Sequence, residues 1–272
     1  MVETIHPGVA APFARVAVFD FDGTVSLIRA GWMEIMIPMM LEVLSALGTG
    51  ESPETLRGVV EPFIWRLTGQ DTLCQMIALA DEVRLRGGTP LDAREYKQEF
   101  LKRLFAVSGL RIQQLRDRSA PHDHFLVPGT RAMLEELRGR GLRLYLASGT
   151  DHDHLMEEAD LLDITRYFDG GVYGALPDPE AFNKRMLMER ILNEPGMHPH
   201  HLIGFGDGPT EIQETKRVRG LAVGLATDEP ECLIMSPWKR RNLIACGADY
   251  IIPNYRCRPV LLPVLFANHE PI

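Results

Sequence analysis

The chain has no excess of basic residues. Of its 272 residues, 29 are Lys or Arg and 37 are Asp or Glu, which gives a formal net charge of −8. Proteins that bind nucleic acids through a broad electrostatic surface usually carry clustered Lys and Arg. The only dense basic run is KRR at 239–241, which we interpret as the solvated face of a helix. The composition therefore argues against a nucleic acid partner.

Cysteine is scarce, and the four that are present show no pairing pattern. They form no CxxC motif, and no histidine lies at a spacing from them that is typical of a zinc site. We expect free thiols, buried or incidental, at Cys74, Cys232, Cys246 and Cys257. The sequence therefore predicts no zinc centre.

The chain also lacks a long uninterrupted apolar run. The most apolar stretch, residues 27–47, contains residues that are costly or irregular in a membrane-spanning helix: Arg29, Glu34, Pro38 and Glu42. The first residues include Glu3 and show no basic segment followed by an apolar one, as a secretory signal would. We therefore expect a cytoplasmic protein with no membrane partner. No internal repeat or low-complexity tract is present.

The sequence does contain an alternation of apolar runs and helical patterns. Short apolar runs bounded by turns predict buried parallel strands within residues 16–19, 142–147, 202–208, 221–227 and 248–253. Helical patterns lie between them, including residues 131–141 and 180–192. This order predicts an α/β fold with a doubly wound, Rossmann-like parallel sheet.

A helical region interrupts this alternation after the first strand. Up to Phe125 it has no convincing strand, and Thr72 is the candidate N-cap of one of its helices. Its length of roughly a hundred residues is near the lower range of independent domains. We predict a core domain formed by residues 1–26 and 127–272, and an inserted helical domain of residues 27–126 that can cover an active site at the strand edge.

The most informative motif is FDFDGTVS at 19–26, where Asp20 and Asp22 follow a buried strand. Ligands of open α/β folds bind at the carboxyl ends of the strands, so this pair is expected at an active site. One carboxylate can attack an electrophile while the other transfers protons, and a divalent cation can offset their charge. One strand end could therefore supply both a nucleophile and an acid/base group.

Other candidate active-site residues also lie at strand ends or helix starts. The full set, in chain order, is DFDGT at 20–24, Ser148 after LYLA, Lys184 before a helix, and GDGPTE at 206–211. Together they resemble the four motifs of the haloacid dehalogenase superfamily. The resemblance covers roughly residues 14–26 and 127–256, and the inserted helices match the position of a helical cap in that family.

The resemblance implies phosphate-ester chemistry. In the family's phosphatases, the residue matching Asp20 is the nucleophile and forms an aspartyl-phosphate. The residue matching Asp22 protonates the leaving oxygen and then accepts a proton from the attacking water. Family members that cleave carbon–halogen bonds, or the carbon–phosphorus bond of phosphonoacetaldehyde, generally lack an Asp at the position of Asp22.

The resemblance also implies a phosphate-binding set. Ser148 through its hydroxyl and Gly149 through its backbone N–H would hold phosphoryl oxygens, and Lys184 would neutralise charge on the nucleophile and the phosphoryl group. Thr24 would orient Asp22 or the loop. The residue types alone leave open a helix cap for Ser148 and Thr24, and a solvated position for Lys184.

A magnesium site is implied by the same motifs. Mg²⁺ would be bound by Asp20, by the backbone carbonyl of Asp22 and by Asp207, because hard oxygen ligands suit this small cation. Glu211 matches the second acidic position of the fourth motif. We expect it to act through a metal-bound water rather than by direct ligation.

The predicted function is that of a Mg²⁺-dependent phosphomonoesterase acting on a small phosphorylated metabolite, with sugar phosphates among the candidates. A phosphotransferase or phosphomutase would use the same aspartyl-phosphate and pass it to an acceptor hydroxyl. A noncatalytic metabolite-binding module is the alternative from another class. Oligomeric state does not follow from the sequence.

Two kinds of segment have no assigned role. The histidine-rich segments at 122–124 and 198–201 are interpreted as surface loops, whereas the segment at 151–154 follows Ser148 and is a candidate either for a helix cap or for substrate contact. The methionine-rich segment at 31–40 is a candidate for packing within the helical insertion or for an apolar specificity surface.

Overall fold

A seven-stranded sheet forms the centre of the fold. The structure is a computed structural model that describes residues 1–176, 178 and 181–267. In chain order the strands are β1 (Glu3–Thr4), β2 (Val16–Phe19), β3 (Arg143–Asp151), β4 (Gly171–Ala175), β5 (Leu202–Gly206), β6 (Leu221–Leu225) and β7 (Tyr250–Ile252). Their order across the sheet is β1-β7-β6-β5-β2-β3-β4. Neighbouring strands run parallel, except that β1 is antiparallel to β7.

Helices connect these strands. The α-helices are α1 (Met33–Ser45), α2 (Pro53–Leu67), α3 (Thr72–Leu85), α4 (Ala93–Arg116), α5 (Thr130–Gly139), α6 (His152–Leu161), α7 (Lys184–Leu192), α8 (Pro209–Arg217), α9 (Pro237–Ala245) and α10 (Arg258–Leu265). Short 3₁₀ helices occupy His122–Phe125, Thr165–Tyr167, Pro199–His201 and Tyr255–Cys257. In the part of the chain that the structure describes, no helix combines the length and the apolar character needed to cross a membrane.

Alternate residues of β2 pack on opposite faces of the sheet. Ala17 and Phe19 belong to a buried cluster with side chains of α5, α6 and α10, whereas Val16 and Val18 belong to a cluster with side chains of α7. This alternation follows from the two-residue period of a strand. Helices therefore cover both faces of a mostly parallel sheet, and the predicted α/β class is confirmed.

Helices α1–α4, inserted between β2 and β3, have a hydrophobic cluster of their own. Large apolar side chains dominate it, including Met36, Met39, Met40, Ile64, Met76 and Phe100. The methionine-rich segment thus packs mainly within the insertion. The last part of α4 differs, because Ile112 and Leu115 join the main core. The domain boundaries derived from the sequence remain a prediction.

Two edge strands and two helix starts differ from the sequence-based prediction. β1 has only two residues, and β4 contains two glycines and is only partly buried, so neither shows an apolar strand pattern. The N-cap of α3 is Asp71 rather than Thr72, since an Asp71 oxygen accepts a 2.8 Å hydrogen bond from the N–H of Leu73. The helix expected from residue 180 begins at Lys184, while residues 179 and 180 lie outside the described residues.

Candidate active site

The predicted motifs meet at the carboxyl ends of the central strands. Phe19 of β2 lies opposite Leu146 of β3 on one side and opposite Phe205 of β5 on the other. Asp20 directly follows β2, and Asp207 directly follows β5. The chain reverses its direction across the sheet between β2 and β5, which makes this edge the switch point where open α/β folds bind ligands.

Asp20 is buried and held by two side chains. The ammonium of Lys184 donates to its Oδ1 at 2.5 Å, and the hydroxyl of Thr24 donates to its Oδ2 at 3.1 Å. Burial raises the pKa of the Asp20 carboxyl, and the positive charge of Lys184 opposes this rise. Lys184 therefore favours the carboxylate form that a nucleophile requires.

Lys184 is fixed by the start of α7. The side chain of Asn183 caps this helix by accepting a 2.9 Å bond from the N–H of Met186. The Lys184 ammonium also contacts Glu211. Burial alone lowers the pKa of Lys184, but the carboxylates of Asp20 and Glu211 outweigh that effect and raise it overall. The lysine is thus a fixed cation between two acidic groups.

Asp22 faces the same space with a different set of partners. Thr150 donates from its hydroxyl to Oδ2 of Asp22 at 2.7 Å. Oδ1 is buried without a hydrogen-bond partner among the described residues, and Nε of Arg29 lies 3.9 Å from it. Burial raises the pKa of Asp22, with Arg29 opposing. A raised pKa helps a carboxyl group to keep the proton that an acid catalyst donates.

Ser148 and Gly149 lie at the end of β3, beside the carboxylates. The Ser148 Oγ accepts a 3.0 Å bond from the N–H of Thr150, so its own O–H can still donate to a ligand. A Cβ on Gly149 would lie 2.0 Å from the carbonyl oxygen of Gln70 in the insertion. Only glycine allows this close approach of the two backbones.

The two acidic residues of the GDGPTE motif contact different cations. Oδ2 of Asp207 accepts a 2.8 Å bond from the ammonium of Lys239, whereas Glu211 contacts Lys184. One carboxylate oxygen of Glu211, Oε2, is buried without a partner among the described residues. The structure therefore places Glu211 next to the lysine and brings Asp207 towards Asp20.

The donor set suits a hard cation. Burial and the charges of Lys184 and Glu211 have the largest effects on the pKa of Asp20. The negative charge of Asp207 also raises this pKa. Two adjacent buried carboxylates are stabilised by a cation, and their oxygens fit Mg²⁺. Within the described ranges, no three acidic, histidine or cysteine side chains form a ready-made ion cluster. A magnesium site here would need Asp20, Asp207 and the backbone carbonyl of Asp22.

A cavity of about 80 Å³ lies between these groups and the helical insertion. On the core side it is lined by Asp20, Asp22, Ser148 and Asp207. On the insertion side it is lined mainly by large side chains, namely Trp32, Met36, Gln75, Phe100 and Leu104. The cavity thus joins a charged floor to a largely apolar roof.

The loop that links α2 to α3 packs directly on the charged floor. Thr210 donates from its hydroxyl to the carbonyl of Thr68 at 2.6 Å. Gly69 has a φ of +88°, and a Cβ there would lie 2.1 Å from a carboxylate oxygen of Glu211. This loop therefore limits access to the carboxylates from the side of α8.

Several residues around the carboxylates were not predicted from the sequence. The interpretation of KRR as a solvated face was wrong for Lys239, which is largely buried and contacts both Asp207 and Glu229. Its position depends on the packing of α9, which no local pattern reveals. Two other residues, Thr150 and Arg29, left a signal in the sequence. Thr150 shares the strand face of Ser148, and Arg29 is a charged residue within an apolar run.

The histidine-rich segments lie mostly away from the site. Residues 122–124 include exposed His122 and His124, as expected for a surface loop. The surface interpretation was wrong for His201, which is buried and whose ring nitrogen lies 3.1 Å from the backbone nitrogen of His198. Asp151 accepts a 2.6 Å bond from Lys97 of α4, so it connects core and insertion.

Comparison with known proteins agrees with this geometry. A family model described as haloacid dehalogenase-like hydrolase matches residues 14–218. The chain belongs to this family. A curated relative, a phosphorylated carbohydrates phosphatase from Thermotoga maritima, is 29% identical over 94 residues, which are 33% of this chain and 41% of that protein. The match thus spans less than half the length of the relative.

Several solved structures share the fold of this chain. β-Phosphoglucomutase from Clostridium difficile matches with a TM-score of 0.57 and 12% identity, covering 89% of this chain and 92% of that one. A predicted phosphoglycolate phosphatase from Haemophilus somnus matches with a TM-score of 0.56 and 15% identity, covering 92% and 98%. At these identities the likeness concerns the fold alone.

Proposed function

We propose that this haloacid dehalogenase-like hydrolase is a Mg²⁺-dependent phosphomonoesterase that works through an aspartyl-phosphate on Asp20. The observation that carries the proposal is the presence of two carboxyl groups with different partners at one cavity. Asp20 accepts a hydrogen bond from a buried ammonium, whereas Asp22 accepts one from a hydroxyl and keeps one oxygen without a hydrogen-bond partner among the described residues. The first suits a nucleophile and the second suits a proton donor.

The two carboxyl groups account for both steps of the reaction. In the first step an oxygen of Asp20 bonds to phosphorus, the bond from phosphorus to the ester oxygen breaks, and Asp22 gives its proton to that oxygen. In the second step Asp22 takes a proton from water, the water oxygen bonds to phosphorus, and the bond to Asp20 breaks. The products are an alcohol and inorganic phosphate, and both carboxyl groups return to their first state.

Three other residues would hold the phosphoryl group. Lys184 would offset its negative charge, and Ser148 with the N–H of Gly149 would donate hydrogen bonds to its oxygens. Mg²⁺, held by Asp20, Asp207 and the backbone carbonyl of Asp22, would supply further charge neutralisation. The action of Glu211 through a metal-bound water stays a prediction, and in this scheme Glu211 also holds Lys184, which it contacts directly.

We further propose that residues 27–126 form a cap over a core of residues 1–26 and 127–272. Two contacts between these parts support the division into cap and core. The hydroxyl of Thr210 donates to the carbonyl of Thr68, and Gly149 lies against Gln70. The largely apolar roof of the cavity would exclude bulk water while the phosphoryl group is transferred.

A phosphorylated carbohydrate is the proposed substrate class. The Thermotoga maritima relative is named for such substrates. The cavity roof offers an aromatic surface at Trp32 and an amide at Gln75, and these are groups that contact the apolar face and the hydroxyls of a sugar. The substrate would place its phosphate on the floor and its small leaving group under the roof.

A phosphomutase is the second candidate, because a roof that excludes water also protects an aspartyl-phosphate from hydrolysis. β-Phosphoglucomutases share the fold of this chain. The two functions differ in the fate of the phosphoryl group. With a substrate labelled in its phosphate, an esterase gives labelled inorganic phosphate, whereas a mutase gives a labelled isomer of the sugar phosphate. A noncatalytic module would give neither product.

The first test is phosphate release from a panel of sugar phosphates and other small phosphorylated metabolites, with and without Mg²⁺. We expect selective, Mg²⁺-dependent release by the wild type and none by Asp20→Asn. Asp81→Asn is the matched control, because Asp81 is an exposed residue of α3, away from the cavity. Phosphate release by Asp20→Asn at the wild-type rate would overturn the covalent role of Asp20.

A further inference from the structure

A buried ion pair that the proposed chemistry does not use lies beside Asp22. Arg29, in the segment after β2, donates from Nη2 and Nε to the carboxylate of Glu158 on α6, at 2.7 and 3.0 Å. Both side chains are almost fully buried. The ring of Phe105 on α4 lies 5.7 Å from the guanidinium. The guanidinium is therefore fixed by residues from two other parts of the chain.

This fixed guanidinium lies near the oxygen of Asp22 that has no hydrogen-bond partner among the described residues. Nε of Arg29 lies 3.9 Å from Oδ1, while Thr150 holds Oδ2 at 2.7 Å. Arg29 also lines the cavity. Asp22 is thus placed between a neutral donor on one oxygen and a cation on the other. The hydrogen bond from Thr150 and the nearby positive charge of Arg29 together favour one orientation of the carboxyl group.

The surrounding charges indicate what Arg29 does. A free buried guanidinium would attract an anionic group of the substrate, but the Glu158 carboxylate already compensates Arg29. Stability alone does not explain this ion pair, because apolar residues of similar volume often stabilise a core equally well. The charge of Glu158 is costly here, since burial raises its pKa to about 7 despite the opposing effect of Arg29.

We propose that Arg29, anchored by Glu158, is a positioning residue that fixes the Asp22 carboxyl for proton transfer to the leaving oxygen. The proposal rests on the proposed phosphomonoesterase function. Arg29 acts through Asp22 and does not bind the phosphoryl group. Loss of Arg29 therefore impairs proton donation while leaving Asp20, Lys184 and their contacts unchanged.

Leaving-group dependence isolates this role. p-Nitrophenolate leaves without needing a proton, whereas an alkoxide needs one, so in the first step only the alkyl ester depends strongly on Asp22. Hydrolysis of the aspartyl-phosphate is common to both esters, and kcat/KM reports the first step without it. We expect Arg29→Met to lower kcat/KM at least about tenfold more on an alkyl phosphate such as glycerol phosphate than on p-nitrophenyl phosphate. Arg29→Lys restores part of the kcat/KM on the alkyl ester.

Two further variants guard against misfolding. The double variant Arg29→Met/Glu158→Leu removes both buried charges, and Glu158→Gln keeps Arg29 while weakening its anchor. Both are expected to show the same selective loss on the alkyl ester. Arg116→Met is the matched control, because the exposed pair of Arg116 and Glu157 also joins the insertion to α6. It should leave the ratio of the two kcat/KM values unchanged.

The outcomes separate this proposal from the one on which it rests. Equal losses of kcat/KM on both esters in folded variants of an active enzyme would overturn the positioning role alone. No release from any phosphate ester by the wild type would overturn the phosphomonoesterase proposal, and the role of Arg29 with it. Thermal unfolding of each variant shows that the comparison is made on folded protein.

Discussion

The ammonium of Lys239 lies 2.8 Å from Oδ2 of Asp207, next to the proposed magnesium site. The same ammonium lies 2.5 Å from Glu229. Burial alone lowers the pKa of Lys239, but the two carboxylates outweigh it and raise the pKa overall. Lys239 is therefore the counter-charge of two largely buried acidic groups, one of which is a proposed metal ligand.

We predict that Lys239→Met destabilises the protein by roughly 3–5 kcal/mol, because it leaves two buried carboxylates without a partner. Added Mg²⁺ should recover more of the melting temperature in this variant than in the wild type, since a bound cation replaces part of the lost charge. Thermal unfolding with and without Mg²⁺ measures both effects. Arg241→Met is the control, because Arg241 belongs to the same basic run but is exposed. Equal melting temperatures for the two variants would contradict the prediction.

A second prediction concerns the choice between adjacent basic residues at the start of α7. Lys184→Met should lower kcat by roughly 10²–10³-fold, because it removes the cation between the nucleophile and the phosphoryl group. Arg185→Met should leave kcat unchanged, because Arg185 is directed to Glu189 on the surface of the helix. Steady-state phosphate release from the best substrate measures both. A larger loss for Arg185→Met would show that the lysine has been assigned wrongly.

The sequence alone was sufficient to predict that the residues of the cavity floor lie together. Asp20, Ser148 and Asp207 each follow an apolar run, and parallel strands bring such positions to one edge. Lys239 and Glu229 could not be found in this way, because their meeting depends on the packing of α9 against the loop that follows β6. Contacts made by side chains from distant segments leave no local period in the sequence.

The residues of the cavity roof could not be predicted from the sequence either. Helical spacing indicated a helical insertion, but not which of its faces would point towards the carboxylates. Trp32 and Gln75 line the cavity although they lie on different segments, and only the fold brings them together. β4 was missed for a different reason: its two glycines and partial exposure remove the apolar pattern by which a strand is detected.

A third prediction tests the close contact between cap and core. A Cβ on Gly149 would lie 2.0 Å from the carbonyl oxygen of Gln70, so Gly149→Ala must push the loop away from the floor. We expect a rise in KM and a fall in kcat of about tenfold or more, because small displacements of positioning groups have large effects on rate. Gly58→Ala is the control, since a Cβ there has open space. Unchanged kinetics for Gly149→Ala would show that the loop is not part of the closed site.

The last prediction concerns the bridge made by Lys97 of α4. Its ammonium lies 2.6 Å from Asp151 at the end of β3 and 3.0 Å from Asp71 at the start of α3. Lys97→Met removes the link between cap and core without touching the carboxylates of the floor. We therefore expect a several-fold rise in KM with kcat nearly unchanged, because the cap then closes less readily over the substrate. Lys102→Met, on the exposed side of the same helix, should change neither constant. A fall in kcat at constant KM for Lys97→Met would instead mean that the bridge orients Asp151 and the adjoining phosphate-binding loop.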